Sequence, residues 1–175
     1  FIKGALKKGK IERAAEGLFD QIQTFAGYGF NKAHSAGYGL IAFQTAWLKA
    51  HYPVEFLSAA LSSDMDDSDR VRLLLDDCKN FEIDIIKPDI NKSQLNFVNR
   101  DDNEILYGLG AVKGLGKAAI ENIISEREQK PFENLYDFCA RVDLSKVDKR
   151  GIEPLIKCGA MDSFNLSRKE MLESL

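Results

Sequence analysis

Two predicted helices meet at the stretch Gly27-Tyr28-Gly29-Phe30-Asn31-Lys32-Ala33-His34-Ser35-Ala36-Gly37-Tyr38. In the first helix, residues 11–26, apolar side chains recur every three or four positions, and Gly27 fits a helix C-terminus. The second helix, from about Ser35 to Tyr52, is apolar on most sides. Because such helices are normally buried, we expect it to form the core of the first domain.

The start of the second helix has the chemistry of an anion site. A helix N-terminus presents unpaired N–H groups and a partial positive charge, and together these can hold an anion. Lys32 and His34 would add positive charge and hydrogen-bond donors at this point. Neighbouring glycines would let a ligand approach the backbone. The residues therefore predict an anion site, with phosphate as the expected ligand.

This stretch also carries a family resemblance. Together with Gln44-Thr45-Ala46-Trp47-Leu48-Lys49-Ala50-His51-Tyr52-Pro53 and Glu55-Phe56, it resembles the fingers domain of the bacterial replicative DNA polymerase III alpha subunits, the C-family polymerases. The resemblance is collinear from Phe1 to Leu175. It implies that this region faces the incoming deoxynucleoside triphosphate.

The resemblance also implies roles for individual residues. Lys32 and His34 would touch the triphosphate, and Asn31, Ser35 and Tyr38 would shape the nucleotide pocket. In the family, the carboxylates that hold Mg²⁺ lie in the palm domain, and no palm motif occurs in this chain. We therefore expect no catalytic residue, no metal ligand and no cofactor within the chain, and we expect the chain alone to be inactive.

Composition and charge limit how the chain can contact nucleic acid. The 175 residues are 45% hydrophobic and 29% charged, which is typical of one or two globular domains. Seven Lys or Arg stand against four Asp or Glu in residues 1–60, six against twelve in residues 61–107, and eleven against eleven in residues 108–175. This distribution does not indicate a broad basic surface. Any contact with DNA is expected to be local, and the acidic middle is expected to face away from phosphate.

Several features predict a cytoplasmic protein with reduced thiols. Cys78, Cys139 and Cys158 lie far apart without C-x-x-C spacing, which argues against a disulfide framework or a zinc ribbon. No apolar run reaches the roughly 18 residues that cross a bilayer, and no signal-peptide pattern is present. Because the chain starts at Phe1 rather than Met, we expect it to be a piece of a longer protein.

The acidic stretch Ser62–Asp69 allows two interpretations. As a calcium loop it lacks the Gly expected at the sixth position, where Asp69 stands, and the Glu expected at the twelfth, where Leu75 stands. As a helix start, it would cap a helix from about Ser68 to Asn80. We favour capping. Pro53 is expected to open the preceding helix, Val54 to about Leu61.

The centre of the chain predicts a change of structure. Residues 83–86 and 88–90 indicate an extended connection, and residues 95–98 and 104–107 flank a polar turn that is typical of a β-hairpin. We place a domain boundary near residues 88–94. Residues 94–97 faintly resemble a sliding-clamp-binding peptide, although a buried strand is the preferred interpretation.

A second glycine-rich stretch resembles the helix-hairpin-helix motif of DNA-binding proteins. Its sequence is Gly108-Leu109-Gly110-Ala111-Val112-Lys113-Gly114-Leu115-Gly116-Lys117-Ala118-Ala119-Ile120. Gly114 and Gly116, on either side of Leu115, permit positive φ. Their amides, with the helix that starts at Lys117, would form a nest for backbone phosphate, and Lys113 and Lys117 would add charge. Such a site ignores base identity. The alternative is a tight connection without a ligand.

A weaker second hairpin is predicted downstream, with a helix from Asp148 to Lys157, a turn at Gly159, and a helix over residues 167–175. It lacks the G-x-G pattern of the first hairpin. Pro154 would cost about 3 kcal/mol inside a helix, so the helix could instead start near Ile152. Residues 132–139 predict a connecting helix that starts near residue 131.

These observations predict a mainly α fold. Residues 1–90 would be the end of a helical fingers subdomain, and residues 91–175 a small β-hairpin followed by a tandem helix-hairpin-helix subdomain. The predicted function is part of a bacterial replicative DNA-directed DNA polymerase that binds the incoming nucleotide and holds duplex DNA without sequence preference. DNA contacts are assigned to Lys113, Gly114, Leu115, Gly116, Lys117 and Gly159.

Partners and alternatives follow from the same resemblance. The expected partners are the primer–template duplex, a deoxynucleoside triphosphate and, in the full-length protein, a sliding clamp and other replisome subunits. Mg²⁺ would act in the full-length polymerase. No membrane contact is expected. One alternative is a non-catalytic DNA-binding or clamp-associated helical module, and another is a purely structural helical domain.

Overall fold

The computed structural model describes residues 1–27 and 32–175. It contains two compact units, Phe1–Trp47 and Leu48–Leu175. The sequence predicted a boundary near residues 88–94 instead. The difference has a physical reason, because a strand before that point pairs with a strand after it, so that the chain on both sides folds together.

Three helices begin the chain: α1 (Ile2–Lys7), α2 (Glu12–Gly27) and α3 (Lys32–His51). The observed bounds of α2 confirm the helix predicted from the apolar spacing of residues 11–26. Helix α3 begins three residues before the predicted start at Ser35, so that Lys32 is its first residue. The last residues of α3 belong to the second unit.

The prediction that the second helix forms a buried core is wrong for the described residues. No residue of α3 is buried, and Phe43 and Trp47 are 67% and 45% exposed. In the described part of residues 1–47, Ala15 alone is buried. An apolar sequence shows that a helix can be buried, but the surface that covers it has to come from other elements.

The second unit starts with α4 (Pro53–Ser63) and α5 (Ser68–Asn80), followed by the strands β1 (Asp84–Ile86), β2 (Val98–Asp101) and β3 (Glu104–Leu106). The strand order is β1-β3-β2. β2 and β3 form the predicted hairpin, although β2 starts three residues later than expected. β1 pairs in parallel with β3, which the sequence did not indicate.

The rest of the unit is helical. After a 3₁₀ turn at Leu109–Ala111 come α6 (Lys117–Gln129), α7 (Leu135–Arg141), α8 (Lys149–Lys157) and α9 (Arg168–Glu173).

Local caps decide where two of these helices begin. α7 starts after Asn134, whose Oδ1 accepts a hydrogen bond of 2.9 Å from the Asp137 amide, and not near residue 131. Asp148 caps α8 by accepting a 3.0 Å bond from the Gly151 amide. Pro154 therefore lies inside α8, and the suggested helix start near Ile152 is wrong.

Two hydrophobic cores stabilise this unit. One lies between α4, α5 and the sheet and consists of Val54, Leu57, Leu61, Val71, Cys78, Ile83, Phe97 and Ile105. The other lies among α6–α9 and extends from Ile90 to Met171, with Phe138, Leu155, Ile156 and Met161 fully buried. The hairpin region thus has a core of its own, which can hold its turns rigidly. In the described parts of the chain, no helix has both the length and the apolar composition that spanning a membrane requires.

The acidic stretch is a helix cap, as favoured from the sequence. Asp67 is the N-cap of α5, and its Oδ1 accepts hydrogen bonds from the amides of Asp69 (3.0 Å) and Arg70 (3.1 Å). Replacing Asp67 with Ala removes this acceptor, so we expect the free energy of unfolding to fall by about 1 kcal/mol. Urea denaturation measures this change. Calcium should leave the melting temperature of the unmodified chain unchanged, and a calcium-dependent rise would contradict the capping interpretation.

Candidate nucleic-acid interface

At the first hairpin turn, the backbone conformation requires a glycine at one position of the G-x-G pattern and not at the other. Gly114 has φ +89°, the left-handed conformation that the G-x-G pattern predicted. Gly116 has φ −79° and ψ 154°, which any residue adopts, so it does not use the positive φ that glycine permits. A Cβ on Gly116 would meet no atom within 4 Å. Gly116 therefore leaves open space above the backbone.

Helix α6 begins at this turn with unpaired amides. Gly116 is its N-cap, and no side chain caps it. Within residues 1–27 and 32–175, the amides of Gly116, Lys117 and Ala118 donate to no protein acceptor, whereas those of Ala119 and Ile120 donate to the Gly116 carbonyl at 3.0 and 3.1 Å. Unpaired amides and the dipole of a 13-residue helix both favour an anion at this end.

One side chain of the turn packs against the rest of the unit, and two charged side chains are exposed. Leu115 is 9% exposed, and its Cδ1 lies 3.6 Å from where a Cβ on Gly151 would be, so it holds the turn against α8. Its amide donates to the Val112 carbonyl at 3.3 Å. Lys113 and Lys117 are exposed. Leu115 therefore anchors the turn, and the DNA contact predicted for it stays a prediction.

The turn borders a cavity of about 460 Å³. Lys113 and Gly114 line it on the hairpin side, and Asp66 and Arg72 line it on the side of α5. Asp66 of the acidic middle thus shares a cavity with Lys113 and Gly114, and the expectation that the acidic middle faces away from phosphate stays a prediction. Sequence reasoning also missed Arg72, because no motif links α5 to a turn some forty positions later in the chain.

The second hairpin turn also contains a glycine with a positive φ, but side chains cover that glycine. Gly159 has φ +86° and is buried, and its amide donates to the Ile156 carbonyl at 3.1 Å. Arg168 donates from Nε and Nη2 to the two carboxylate oxygens of Asp162, at 2.8 and 2.7 Å. These bonds hold the pKa of Asp162 below its usual value. The predicted DNA contact of Gly159 stays a prediction, and its amide is not available for it.

The candidate nucleotide-binding residues lie at the start of α3. At about 100° per residue, His34, Ser35 and Tyr38 fall within an arc of about 100° on the helix, whereas Lys32 lies about 160° from His34. The rings of His34 and Tyr38 lie 4.3 Å apart between centroids and are tilted by 40°. Lys32, His34 and Tyr38 are exposed, and Ser35 is half-buried. Asn31 lies outside the described residues.

Metal binding finds no support in the described ranges. Across residues 1–27 and 32–175, no group of three or more His, Cys, Asp or Glu side chains is arranged to hold an ion. These residues do not fit the Mg²⁺ that the polymerase resemblance implies for the full-length enzyme. We therefore assign no step to a metal ion within them.

Comparison with known proteins first identifies the class. The family model described as "Helix-hairpin-helix motif" matches residues 82–171, which is more than half of the chain and includes both turns. The chain therefore belongs to the helix-hairpin-helix family. The match confirms that the glycine-rich turn before α6 is part of such a motif.

Individual relatives are more specific. The chain is 47% identical to the DNA polymerase III subunit alpha of Vibrio cholerae over 176 residues, and 46% identical to that of Escherichia coli K12 over the same length. Each alignment covers 100% of this chain and 15% of the relative. The protein of the same name from Pseudomonas aeruginosa is 47% identical over 93% of the chain and 14% of its own length. The chain thus spans about 15% of the length of these relatives, and the resemblance to the alpha subunits is confirmed.

Proposed function

We propose that the chain is part of a bacterial replicative DNA polymerase and that its first hairpin turn holds the sugar–phosphate backbone of duplex DNA. The observation that carries this proposal is the set of unpaired amides at Gly116, Lys117 and Ala118. They lie at the N-terminus of α6 between two exposed lysines, in a chain whose relatives are named as polymerase subunits.

The geometry supports a contact that does not depend on sequence. Backbone amides recognise phosphate oxygens, which are the same at every base pair. Lys113 and Lys117 would release counterions from the DNA and so make the affinity depend on salt. Leu115 is buried, so the long side chains exposed at the turn are Lys113 and Lys117, whose ammonium groups suit phosphate. We therefore expect similar affinities for duplexes of unrelated sequence.

A pair of charge variants on one helix tests this proposal. Lys117 lies at the start of α6 and Lys130 follows its last residue, about 20 Å away along the axis. Both are exposed and ion-paired, with Glu121 and Glu133 respectively, so Lys117→Gln and Lys130→Gln change the net charge equally. Fluorescence anisotropy at several salt concentrations would measure the affinity for duplex DNA. We expect only Lys117→Gln to reduce the slope of log K against log[salt], by about 0.9.

Three results would contradict the proposal. If both variants reduced the slope equally, binding would depend on net charge and not on the turn. If the unmodified chain bound neither duplex in low salt, the purely structural alternative would be favoured. A strong preference for one duplex sequence would also be inconsistent with recognition through phosphate alone.

The resemblance extends the proposal to the nucleotide. We propose that Lys32 and His34 contact the triphosphate of the incoming nucleotide in the full-length enzyme, and that Asn31, Ser35 and Tyr38 shape its pocket. Exposure of Lys32, His34 and Tyr38 in the first two turns of α3 supports access for a ligand. Mg²⁺, the catalytic carboxylates and the contacts with a sliding clamp and other replisome subunits would belong to the full-length cytoplasmic protein.

Lys32→Ala in the full-length polymerase tests this second part. A charge-assisted hydrogen bond contributes about 1.5–3 kcal/mol, so its loss should raise the apparent KM for the nucleotide by roughly tenfold to a hundredfold. Steady-state incorporation on a primed template would measure it. Lys8→Ala, at the exposed end of α1, is the matched control and should leave the KM unchanged. An unchanged KM for Lys32→Ala would exclude this contact.

A further inference from the structure

We infer that the two hairpin turns contact DNA unequally. The first turn holds a phosphate. The ion pair of Asp162 and Arg168 covers the second turn, and the second hairpin instead supports the position of the first. This inference rests on the proposed DNA-binding function of the first turn. It names which part of the tandem motif faces the duplex and which part does not.

The two turns are equivalent in the left-handed φ of one glycine each. Gly114 and Gly159 have φ angles of +89° and +86°. Each glycine precedes a buried residue, Leu115 or Ala160, that packs into the same core. From backbone conformation alone, both turns would be expected to present amides to a phosphate.

Side chains remove this equivalence at the second turn. Asp162 and Arg168 lie directly over Gly159, and a Cβ on that glycine would be 2.9 Å from Asp162 Oδ2. The guanidinium of Arg168 is further held by the Lys157 carbonyl, which accepts a bond of 3.1 Å from Nη1. Lys87 Nζ also lies 3.6 Å from Asp162 Oδ2. The local cations are therefore already paired with a carboxylate, and a phosphate would meet the negative charge of that carboxylate.

The first turn is open at Gly116, although Pro154 of α8 lies against Gly114. A Cβ on Gly116 would meet no atom within 4 Å, and the amides that follow it are unpaired among the described residues. Lys117 Nζ lies 3.8 Å from Glu121, one helical turn further along α6, and Asp66 lines the same cavity as Lys113. Neither carboxylate covers the amides.

The second hairpin supports the first through α8. A Cβ on Gly114 would lie 3.3 Å from Pro154 Cγ and 3.9 Å from the Arg150 carbonyl oxygen. Leu115 packs near Gly151 on the same helix. Helix α8 therefore fixes the position of the phosphate-binding turn, which gives the second hairpin a role that does not require a DNA contact of its own.

Adding one negative charge to each turn tests the inference. Ala118 and Ser163 are both exposed, so Ala118→Glu and Ser163→Glu should fold normally. We expect Ala118→Glu to weaken duplex binding at least tenfold at 0.1 M salt, and Ser163→Glu to change it less than threefold, as measured by fluorescence anisotropy. Equal weakening by the two variants would overturn the inference while leaving the proposed function standing. No weakening by Ala118→Glu would overturn both.

A charge-neutral variant provides an independent measurement. Asp162→Asn combined with Arg168→Gln removes the ion pair without changing the net charge. We expect a lower melting temperature, an affinity for duplex DNA at 25 °C within twofold of the unmodified chain, and an unchanged salt slope. A fall of tenfold or more in the affinity of the folded variant would show that this pair contributes to DNA binding, which contradicts the inference.

Discussion

Replacing Gly116 with Val is expected to weaken duplex DNA binding at least tenfold while the fold stays intact. The backbone at Gly116, with φ −79° and ψ 154°, accommodates a β-branched residue, and the added Cβ has open space around it. The side chain would, however, stand over the amides of Lys117 and Ala118 and keep a phosphate at a distance. Losing one charge-assisted hydrogen bond costs about 1.5–3 kcal/mol, and 1.4 kcal/mol corresponds to a tenfold change in affinity.

The controls separate this effect from instability. Gly is a better N-cap than Val, so we expect Gly116→Val to lower the free energy of unfolding by about 1 kcal/mol. Gly116→Ala has a similar effect on the cap but adds only a methyl group, and it should weaken DNA binding less than Val does. Unfolding by urea and anisotropy with duplex DNA, measured on both variants, give the comparison. Unaffected DNA binding by Gly116→Val would exclude the first turn as the phosphate site.

Replacing Gly108 with Ala should produce the largest loss of stability, about 3 kcal/mol in the free energy of unfolding. A Cβ at this position would lie 2.6 Å from the Asn96 carbonyl carbon and 2.8 Å from the Leu95 carbonyl oxygen. These are backbone atoms held in place, because the amides of Leu109 and Gly110 donate to the carbonyls of Gln94 and Leu95 at 2.8 and 2.9 Å. The backbone therefore has to move or the hydrogen bonds have to break.

Gly116→Ala is the matched control for this variant, since it adds the same methyl group to an open site in the same unit. Its cost should stay below about 1 kcal/mol. Urea denaturation followed by circular dichroism would measure both variants. A loss of less than 1 kcal/mol for Gly108→Ala would show that the segment around residues 94–97 relaxes, contrary to the tight packing. The same packing ties the segment that resembled a clamp-binding peptide into the fold.

Elements that depend only on residues close together in the chain were predictable from the sequence. Helix α5 has the predicted bounds, because Asp67 caps it through amides two and three residues away. The hairpin of β2 and β3 and the positive φ of Gly114 likewise depend on residues close in the chain. The roles of Lys32, His34, Ser35 and Tyr38 came from the family resemblance, and they stay predictions.

Elements that depend on distant residues were not predictable. The parallel pairing of β1 with β3 joins Asp84–Ile86 to Glu104–Leu106, and a three-residue strand carries too little pattern to indicate its partner. The exposure of α3 depends on what covers it, and its apolar sequence indicated only that it could be covered. The closure of the second turn depends on Arg168, nine positions after the glycine that it covers.

The sequence by itself determined the helices, their caps and the glycine-rich turn, because the hydrogen bonds and backbone preferences that define them join residues within about four positions of one another. Only the tertiary structure decided which turn is open to an anion. Each turn has one glycine with a left-handed φ, and the turns differ in the side chains around it. Asp162 and Arg168 cover Gly159 in the second turn, whereas a Cβ on Gly116 in the first turn would meet no atom within 4 Å, and that difference arises only when the chain is folded.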